Sequence, residues 1–538
     1  MPHFNRGVQI YTLPSQPAID INQRVLHSGQ AEQSSSHSKE YASISFPWTP
    51  PNMDAGGGLR FSRLSHGISA NPRNTPSVQF QAKCIPFPTN IYCSKFLETE
   101  ETDQRRCGMG LEVLRRAALE VSQCGIWRFS LPTCHPDTRR ETLDTLSGWA
   151  SELAIGAGSI IWLHGPMGAG KSAVLQTLTH RLHSDGRLGA SFVFRREPSG
   201  NAHILFSAIA YQLATNVPRL RGAISRAARR NPGIVGESLA TQLHELILEP
   251  CRAVADFKPL TIVIDGLDQC RLEDQQEILA LLGNAARSSQ LRFLLGSKSE
   301  NYAAEFLADP QFSAICRSFC VERSFEDVRT YLYAEFARIQ QDCLESSRGD
   351  CSPSSWISTH SFNILVGSSS GCFLYASTLV KFLGDPEFLP QTRLSAVIDR
   401  IPLNLLNSPL DILYTQILAT VPTRLRTSLL ATLHILTTKP FAHLPLHHME
   451  QLLHTKTGRL RRILRHLRSV LNVPDSDHGG SITAHHDSFL DFLVDPARSG
   501  AFCVIGSRYS MYLVRSILKS LAYSHKHPQV NRVGHIAW

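Results

Sequence analysis

The chain contains 538 residues, of which 42% are hydrophobic and 18% charged, with a formal net charge of +9. This length allows several buried cores, whereas a modest positive charge spread along the chain does not indicate a dedicated nucleic-acid surface. The 13 cysteines lack the paired spacing of a zinc site or a disulfide scaffold, and no apolar segment has the length of a signal peptide core or a membrane span, so we expect reduced thiols in a soluble cytoplasmic protein.

The first part of the chain gives few signals of folded structure. Residues 1–90 are rich in Ser, Pro, Gly, Asn and Gln and have no periodicity, which predicts a disordered segment. Within 91–133, the apolar spacing from Gly110 onward predicts a short helical segment. Thr138 and Glu141 have the spacing of a capping box, so a second helix is expected to begin at Thr138.

From residue 134 to residue 350, apolar β-rich segments alternate with helical patterns. The segments cover residues 160–163, 190–194, 260–264, 291–295 and 319–321. Alternating strands and helices are typical of an α/β fold, so we expect a parallel sheet with helices on both faces.

A glycine-rich segment follows the first of these strands and precedes a helical pattern. It has the spacing G-x-x-x-x-G-K-S of a phosphate-binding loop and reads Gly165-Pro166-Met167-Gly168-Ala169-Gly170-Lys171-Ser172, followed by Ala173. In such a loop, backbone N–H groups surround the phosphates, the lysine reaches the terminal phosphates and the serine hydroxyl binds Mg²⁺. The segment predicts a P-loop NTPase whose cofactors are ATP or ADP and Mg²⁺.

Two carboxylates follow the third predicted strand. Asp265 lies at the end of that buried strand, where it is the expected partner of Mg²⁺ together with Ser172. Asp268 lies one short turn further, where a carboxylate could orient or deprotonate the attacking water.

Helical patterns replace the strand signal after residue 351. We expect an all-α helical domain over 351–438, a small winged-helix-like domain over 439–498, and a C-terminal helix and tail over 499–538. No internal period of repeat length is present, so no repeat array is predicted.

Three further motifs in this half have less support. Gly367-Ser-Ser-Ser-Gly371 fits the nucleophile elbow of a serine hydrolase, but only a short apolar segment precedes it. Pro445 breaks the helix that would align a group of potential metal ligands, namely His443, His447, His448 and Glu450. The basic run 456–468 has an apolar stripe opposite its arginines, which favours a solvated or partner-facing helix over a DNA-binding one.

Segments that begin at His164, Val263 and His486 together resemble fungal NACHT-type NTPases of the STAND class, also called nephrocystin-like. They read His-Gly-Pro-Met-Gly-Ala-Gly-Lys-Ser, Val-Ile-Asp-Gly-Leu-Asp-Gln-Cys and His-Asp-Ser-Phe-Leu-Asp-Phe-Leu. The resemblance implies a signalling switch that is closed with ADP, opens on exchange, and then binds protein partners or itself. In such proteins a winged-helix histidine reaches the nucleotide phosphates, and His486 occupies the matching position. Fungal immunity-like or heterokaryon-incompatibility signalling is the implied setting.

Two departures from the family pattern concern hydrolysis. Gln269 follows Asp268 where the family usually has a glutamate, and Lys298 stands where it usually has an arginine. Lysine keeps the charge near the γ-phosphate but lacks the planar fork of arginine. We therefore expect nucleotide binding with slow or absent hydrolysis, with Asp268 and Lys298 as the candidate catalytic residues. A truncated nucleotide-binding scaffold without turnover, and an ATPase stimulated by nucleic acid, remain as alternatives, although nucleic acid is the less expected partner.

Overall fold

The computed structural model describes residues 110–116, 132–152, 158–194, 202–254, 258–298, 310–345, 356–400, 408–438, 441–442, 444–474 and 480–526. The segment predicted to be disordered, 1–90, lies outside these residues, as does most of 91–133. Residues 110–116 are helical, which agrees with the periodicity that begins at Gly110.

A five-stranded parallel sheet has the strand order β2-β3-β4-β1-β5. Its strands are β1 (Ile160–His164), β2 (Leu188–Val193), β3 (Leu260–Asp265), β4 (Leu291–Gly296) and β5 (Cys316–Cys320). Each predicted β-rich segment overlaps one of them. Because β1 and β3 are parallel and both pair with β4, their carboxyl ends lie at the same edge of the sheet.

Helices cover both faces of this sheet. Alternate residues of a strand point to opposite sides, and the apolar side chains on each side pack against helices. On one face, Ile161 and Leu163 pack with helices Arg140–Ser151 and Lys171–Ser184. On the other face, Ile160 belongs to a second core. The helices on that side are Leu205–Asn216, Pro218–Arg230, Leu239–Leu243, Glu249–Ala253 and Leu272–Ser288. The expected α/β sheet with helices on both faces is confirmed.

Helices dominate after β5, as predicted. Those that follow the sheet are Phe325–Glu345, Thr359–Ser369, Phe373–Leu383, Pro390–Ile398, Pro409–Ala419 and Arg426–Thr437. Next come helices Leu446–Leu452 and Arg459–Leu464, an antiparallel ribbon of β6 (Leu471–Asn472) and β7 (Thr483–Ala484), and helices Asp487–Val494, Pro496–Ser499 and Ser507–Lys526. A single core containing Tyr414, Phe489 and Phe492 runs through these elements. Among the described residues, no helix has both the length and the apolar character of a membrane span.

The capping box predicted at Thr138 and Glu141 is wrong. The helix begins at Arg140, and its N-cap is Arg139, whose φ angle of 57° is left-handed. The hydroxyl of Thr138 instead donates a hydrogen bond to the carbonyl oxygen of His135 at 2.9 Å. A left-handed arginine is uncommon, and in this protein its side chain reaches the phosphate-binding loop.

Candidate functional site

The phosphate-binding loop connects β1 to the helix Lys171–Ser184. Gly168 and Gly170 have φ angles of 79° and 93°, a conformation that glycine adopts without steric cost. The ammonium group of Lys171 donates to the carbonyl oxygens of Gly165 at 2.8 Å and of Pro166 at 3.1 Å. Burial of this ammonium group lowers the pKa of Lys171 below its usual range. The Lys171 side chain thus lies along the loop, and the loop's own carbonyl oxygens hold its ammonium group.

Asp265 ends β3 beside the first turn of the loop helix. The Ser172 side chain lies close enough to this carboxylate to oppose the rise of its pKa, so the two expected Mg²⁺ ligands are adjacent. Burial raises the pKa of Asp265 to about 6, against the opposing effect of the Ser172 hydrogen bond. A hydroxyl beside a buried carboxylate is a donor set that suits a hard divalent cation such as Mg²⁺.

Asp268 and Lys298, the candidate catalytic residues, lie against each other. The Lys298 ammonium group is 3.3 Å from Asp268 Oδ2, and the backbone N–H of Lys298 donates to Asp268 Oδ1 at 3.1 Å. The side-chain amide of Gln269 donates to Asp268 Oδ2 at 3.0 Å. The carboxylate of Asp268 is only 6% exposed, whereas Lys298 is 45% exposed. Two hydrogen-bond donors and one paired cation therefore engage the carboxylate that was expected to activate water.

His486 caps the helix Asp487–Val494. Its Nδ1 accepts the backbone N–H of Ser488 at 3.1 Å, and the Ser488 hydroxyl lies 2.9 Å from the Tyr414 hydroxyl. Burial is the main cause that lowers the pKa of His486; the carboxylates of Asp487 and Asp491 oppose this effect, and the positive charges of Lys298 and Lys171 add to it. Because Nδ1 accepts a hydrogen bond, the neutral ring carries its proton on Nε2, which makes Nε2 a donor.

A single cavity of about 1060 Å³ joins these groups. Its lining includes most of the predicted site residues, namely Met167, Gly168, Gly170, Lys171, Ser172, Ala173, Asp265, Asp268, Lys298 and His486. Gly165, Pro166 and Ala169 support the loop from outside the lining: the carbonyl oxygens of the first two accept from Lys171, and Ala169 is buried. The structure thus brings sequence-distant candidates together around one space.

Arg139 and Phe373, which the sequence pattern did not indicate as site residues, donate hydrogen bonds to carbonyl oxygens of the phosphate-binding loop. The guanidinium group of Arg139 donates to the carbonyl oxygens of Ala169 at 2.9 Å and of Glu322 at 2.6 Å, and it pairs with Asp327 at 3.5 Å. The backbone N–H of Phe373 donates to the carbonyl oxygen of Gly168 at 2.8 Å. No local pattern announces these contacts, since Arg139 and Asp327 are 188 residues apart in sequence.

The other motifs have structural roles. Ser369 ends a helix, is 2% exposed and donates to the Val366 carbonyl oxygen, so the nucleophile elbow is excluded. Glu450 accepts the backbone N–H groups of Gly458 and Leu460. His443 lies outside the described residues, within which no group of three or more His, Cys, Asp or Glu side chains could hold a metal ion.

The basic run 456–468 turns its apolar stripe inward, as expected. The buried side chains of that stripe are Leu460, Ile463, Leu464 and Leu467. Arg465 and Arg468 pair with Glu387 at 3.3 and 3.2 Å. Part of the basic surface is therefore used in contacts within the chain.

The raised pKa of Asp265 predicts a pH-dependent stability. The folded protein binds more protons than the unfolded chain between about pH 4 and 6, so the free energy of unfolding falls as pH rises through this window. Asp265→Asn removes the free-energy cost of ionising this buried carboxylate. In nucleotide-free protein, we expect Asp265→Asn to be more stable than the parent by about 2–3 kcal/mol at pH 7 and to lose this advantage near pH 4. Urea unfolding at several pH values measures the difference, and a pH-independent difference would contradict the assignment.

One comparison with known proteins matches the part of the chain that contains the candidate site. Residues 143–298 match the family model described as nephrocystin 3, N-terminal. This match begins in helix Arg140–Ser151 and ends at Lys298, so it contains the whole phosphate-binding loop and both carboxylates. No curated protein matches the chain.

Solved structures show more distant similarity. The Drosophila ORC structure bound to DNA is 13% identical, with a TM-score of 0.33, and the match covers 71% of this chain and 95% of that one. The Aeropyrum pernix ORC1 protein in complex with DNA is also 13% identical, with a TM-score of 0.31, covering 74% of this chain and 97% of that one. At such scores, the assignment of the fold depends on the sheet order and loop geometry described above.

Proposed function

We propose that this protein is a nucleotide-controlled switch of NACHT type, which binds ATP or ADP with Mg²⁺ and hydrolyses ATP slowly or not at all. Lys171 and the loop amides would hold the phosphates, and Ser172 and Asp265 would hold the Mg²⁺. Bound Mg²⁺ would neutralise phosphate charge. Lys298 would contact the γ-phosphate, and His486 would donate from Nε2 to the nucleotide. The match to the nephrocystin 3 N-terminal model supports the nucleotide-binding part of this proposal.

The observation that carries the switching role is the hydrogen bond from the Phe373 N–H to the Gly168 carbonyl oxygen. Phe373 is the first residue of a helix in the helical region, and Gly168 belongs to the phosphate-binding loop. His486, which follows the helical region in sequence, lines the same cavity. A change in the loop on nucleotide exchange therefore alters contacts made by both later regions, which is what a switch requires.

The direct test identifies the nucleotide and then exchanges it. The purified protein is denatured and any released nucleotide is identified by chromatography. The native protein is then incubated with Mg²⁺ and a non-hydrolysable ATP analogue, and its mass in solution is measured. We expect bound ADP at the start and larger assemblies after exchange. Protein that carries ADP but keeps the same mass with every nucleotide would contradict the switch while leaving nucleotide binding intact.

Removal of the Phe373 backbone N–H tests whether the helical region is coupled to the phosphate-binding loop. Phe373→Pro removes the N–H donor at the first helical position, where proline is tolerated, and the extended backbone of Cys372 suits a residue before proline. Phe373→Ala is the matched control, because it loses the ring but keeps the N–H. One hydrogen bond contributes about 1 kcal/mol, so we expect ADP to dissociate roughly fivefold faster from Phe373→Pro than from Phe373→Ala. Equal rates in stopped-flow measurements with a fluorescent ADP would argue against coupling through this bond.

A nucleotide-binding scaffold without turnover is the second candidate, and one observation favours it. Asp268 accepts hydrogen bonds from Gln269 and Lys298 and also pairs with the Lys298 ammonium group. A carboxylate held in this way is a poor general base, because its lone pairs are already engaged. Under this function, bound nucleotide would be ATP that remains intact for many hours, and exchange would leave the mass of the protein unchanged.

A further inference from the structure

The last helix, Ser507–Lys526, carries an apolar stripe that faces outward. Met511, Val514, Leu518 and Leu521 are spaced by three, four and three residues, which places them along one side of the helix. Each is at least half exposed, at 54%, 50%, 59% and 50%. Ile505 and Tyr512 extend this exposed surface at its amino-terminal end. Six of the twelve large hydrophobic side chains that are exposed among the described residues thus lie within 17 residues of sequence.

The stripe is not the face by which the helix packs on the protein. Leu513 and Ser516 are 6% and 4% exposed, and Leu513 belongs to the core of the helical region. The neighbours on that side are helices Arg426–Thr437 and Leu446–Leu452. The helix therefore has two apolar sides, one that anchors it to the protein and one that faces away from the core.

Charge identifies the kind of surface that fits the outward side. The helix contains no aspartate or glutamate, and exposed Arg515 and Lys519 lie along one edge of the stripe. A second copy of this helix would bring like charges together without an acidic partner, which disfavours self-association through the stripe. An apolar stripe bordered by cations is the pattern by which an amphipathic helix lies in the interface of an anionic membrane, with its cations at the level of the headgroups.

We propose that helix Ser507–Lys526 docks the protein on an anionic phospholipid surface. Met511, Val514, Leu518 and Leu521 enter the acyl boundary, and Arg515 and Lys519 contact lipid phosphates and carboxylates. The helix lies in the plane of the membrane and does not cross it. This docking is independent of the nucleotide-controlled function, because its residues lie outside the cavity described above.

The test is flotation of the full chain with vesicles. One set is phosphatidylcholine with about one third phosphatidylserine and the other is phosphatidylcholine alone, since cations are attracted to an anionic membrane surface. We expect flotation with the anionic vesicles and about tenfold less with the neutral ones. Leu518→Glu, and separately Arg515→Glu with Lys519→Glu, should each reduce binding at least about tenfold.

Matched controls distinguish binding by this helix from nonspecific binding to vesicles. Leu344→Glu places the same charge on another exposed leucine, and Arg221→Glu with Arg226→Glu reverses two exposed cations on another basic helix. Both should float like the parent, and thermal unfolding confirms that every variant is folded. Absence of binding to anionic vesicles, or equal binding by parent and helix variants, would overturn the proposal. A soluble dimer that Leu518→Glu converts to monomer would also overturn the proposal, because the stripe would then join two copies. Binding of the helix to an acidic peptide or protein, by a parent that does not float with anionic vesicles, would overturn it as well.

Discussion

Replacement of Lys171 by alanine should strongly weaken nucleotide binding while leaving the fold intact. The ammonium group is the cation held by the loop, at 2.8 Å from the Gly165 carbonyl oxygen, and burial lowers its pKa. Charge-assisted hydrogen bonds to phosphate contribute about 1.5–3 kcal/mol each, so the loss of two of them should weaken ADP binding by about 10²-fold or more. Isothermal titration with ADP and Mg²⁺ measures the change.

Thermal and urea unfolding provide a second measurement of the same change. Nucleotide at 100 times its dissociation constant should stabilise the parent by about 2.7 kcal/mol, and this stabilisation should vanish in Lys171→Ala. Lys456→Ala is the control, because Lys456 is exposed and lies outside the cavity. Without nucleotide, Lys171→Ala should unfold close to the parent, since it removes a desolvated charge. A variant that keeps its full ADP-dependent stabilisation would refute the assignment of the loop.

Replacement of Gly165 by alanine should destabilise the protein by about 2–4 kcal/mol, with or without nucleotide. The φ angle of Gly165 is 147°, and an added Cβ would lie 2.2 Å from the carbonyl oxygen of Val321. That oxygen belongs to backbone just after β5, which cannot move aside as a flexible side chain could. The cost therefore includes both the backbone conformation and a steric overlap. Urea unfolding measures it.

Gly186 supplies a control that separates these two effects. Its φ angle of 65° is also left-handed, but an added Cβ there would meet no atom within 4 Å. Gly186→Ala should therefore cost only about 1 kcal/mol, from the backbone conformation alone. Equal destabilisation by the two substitutions would show that the close approach of Val321 contributes nothing.

Much of the sheet and of the loop could be predicted because the signals are local. Apolar β-rich segments predicted all five strands of the sheet, and β3 ends at Asp265, which lies beside Ser172 as expected. The glycine spacing alone located the loop, because only glycine enters the left-handed region at Gly168 and Gly170 without strain. These features depend on neighbours a few residues away.

Where local signals failed, a tertiary contact decided the outcome. Thr138 had the spacing of a cap, but the helix begins later because Arg139 adopts a left-handed conformation and binds the loop and Asp327. Ser369 had the spacing of a nucleophile, but it is buried at the end of a helix. Short motifs do not specify their surroundings, and burial among distant segments overrides them.

The sequence by itself determined that this protein has a phosphate-binding loop on a parallel sheet, since residue type and spacing decide backbone conformation over short distances. Only the tertiary structure decided that Lys298 neutralises Asp268 and that Phe373 holds Gly168. It also decided which side of the last helix faces outward. These contacts join residues far apart in sequence, and such contacts form only when the packing of several elements fixes the distances between them.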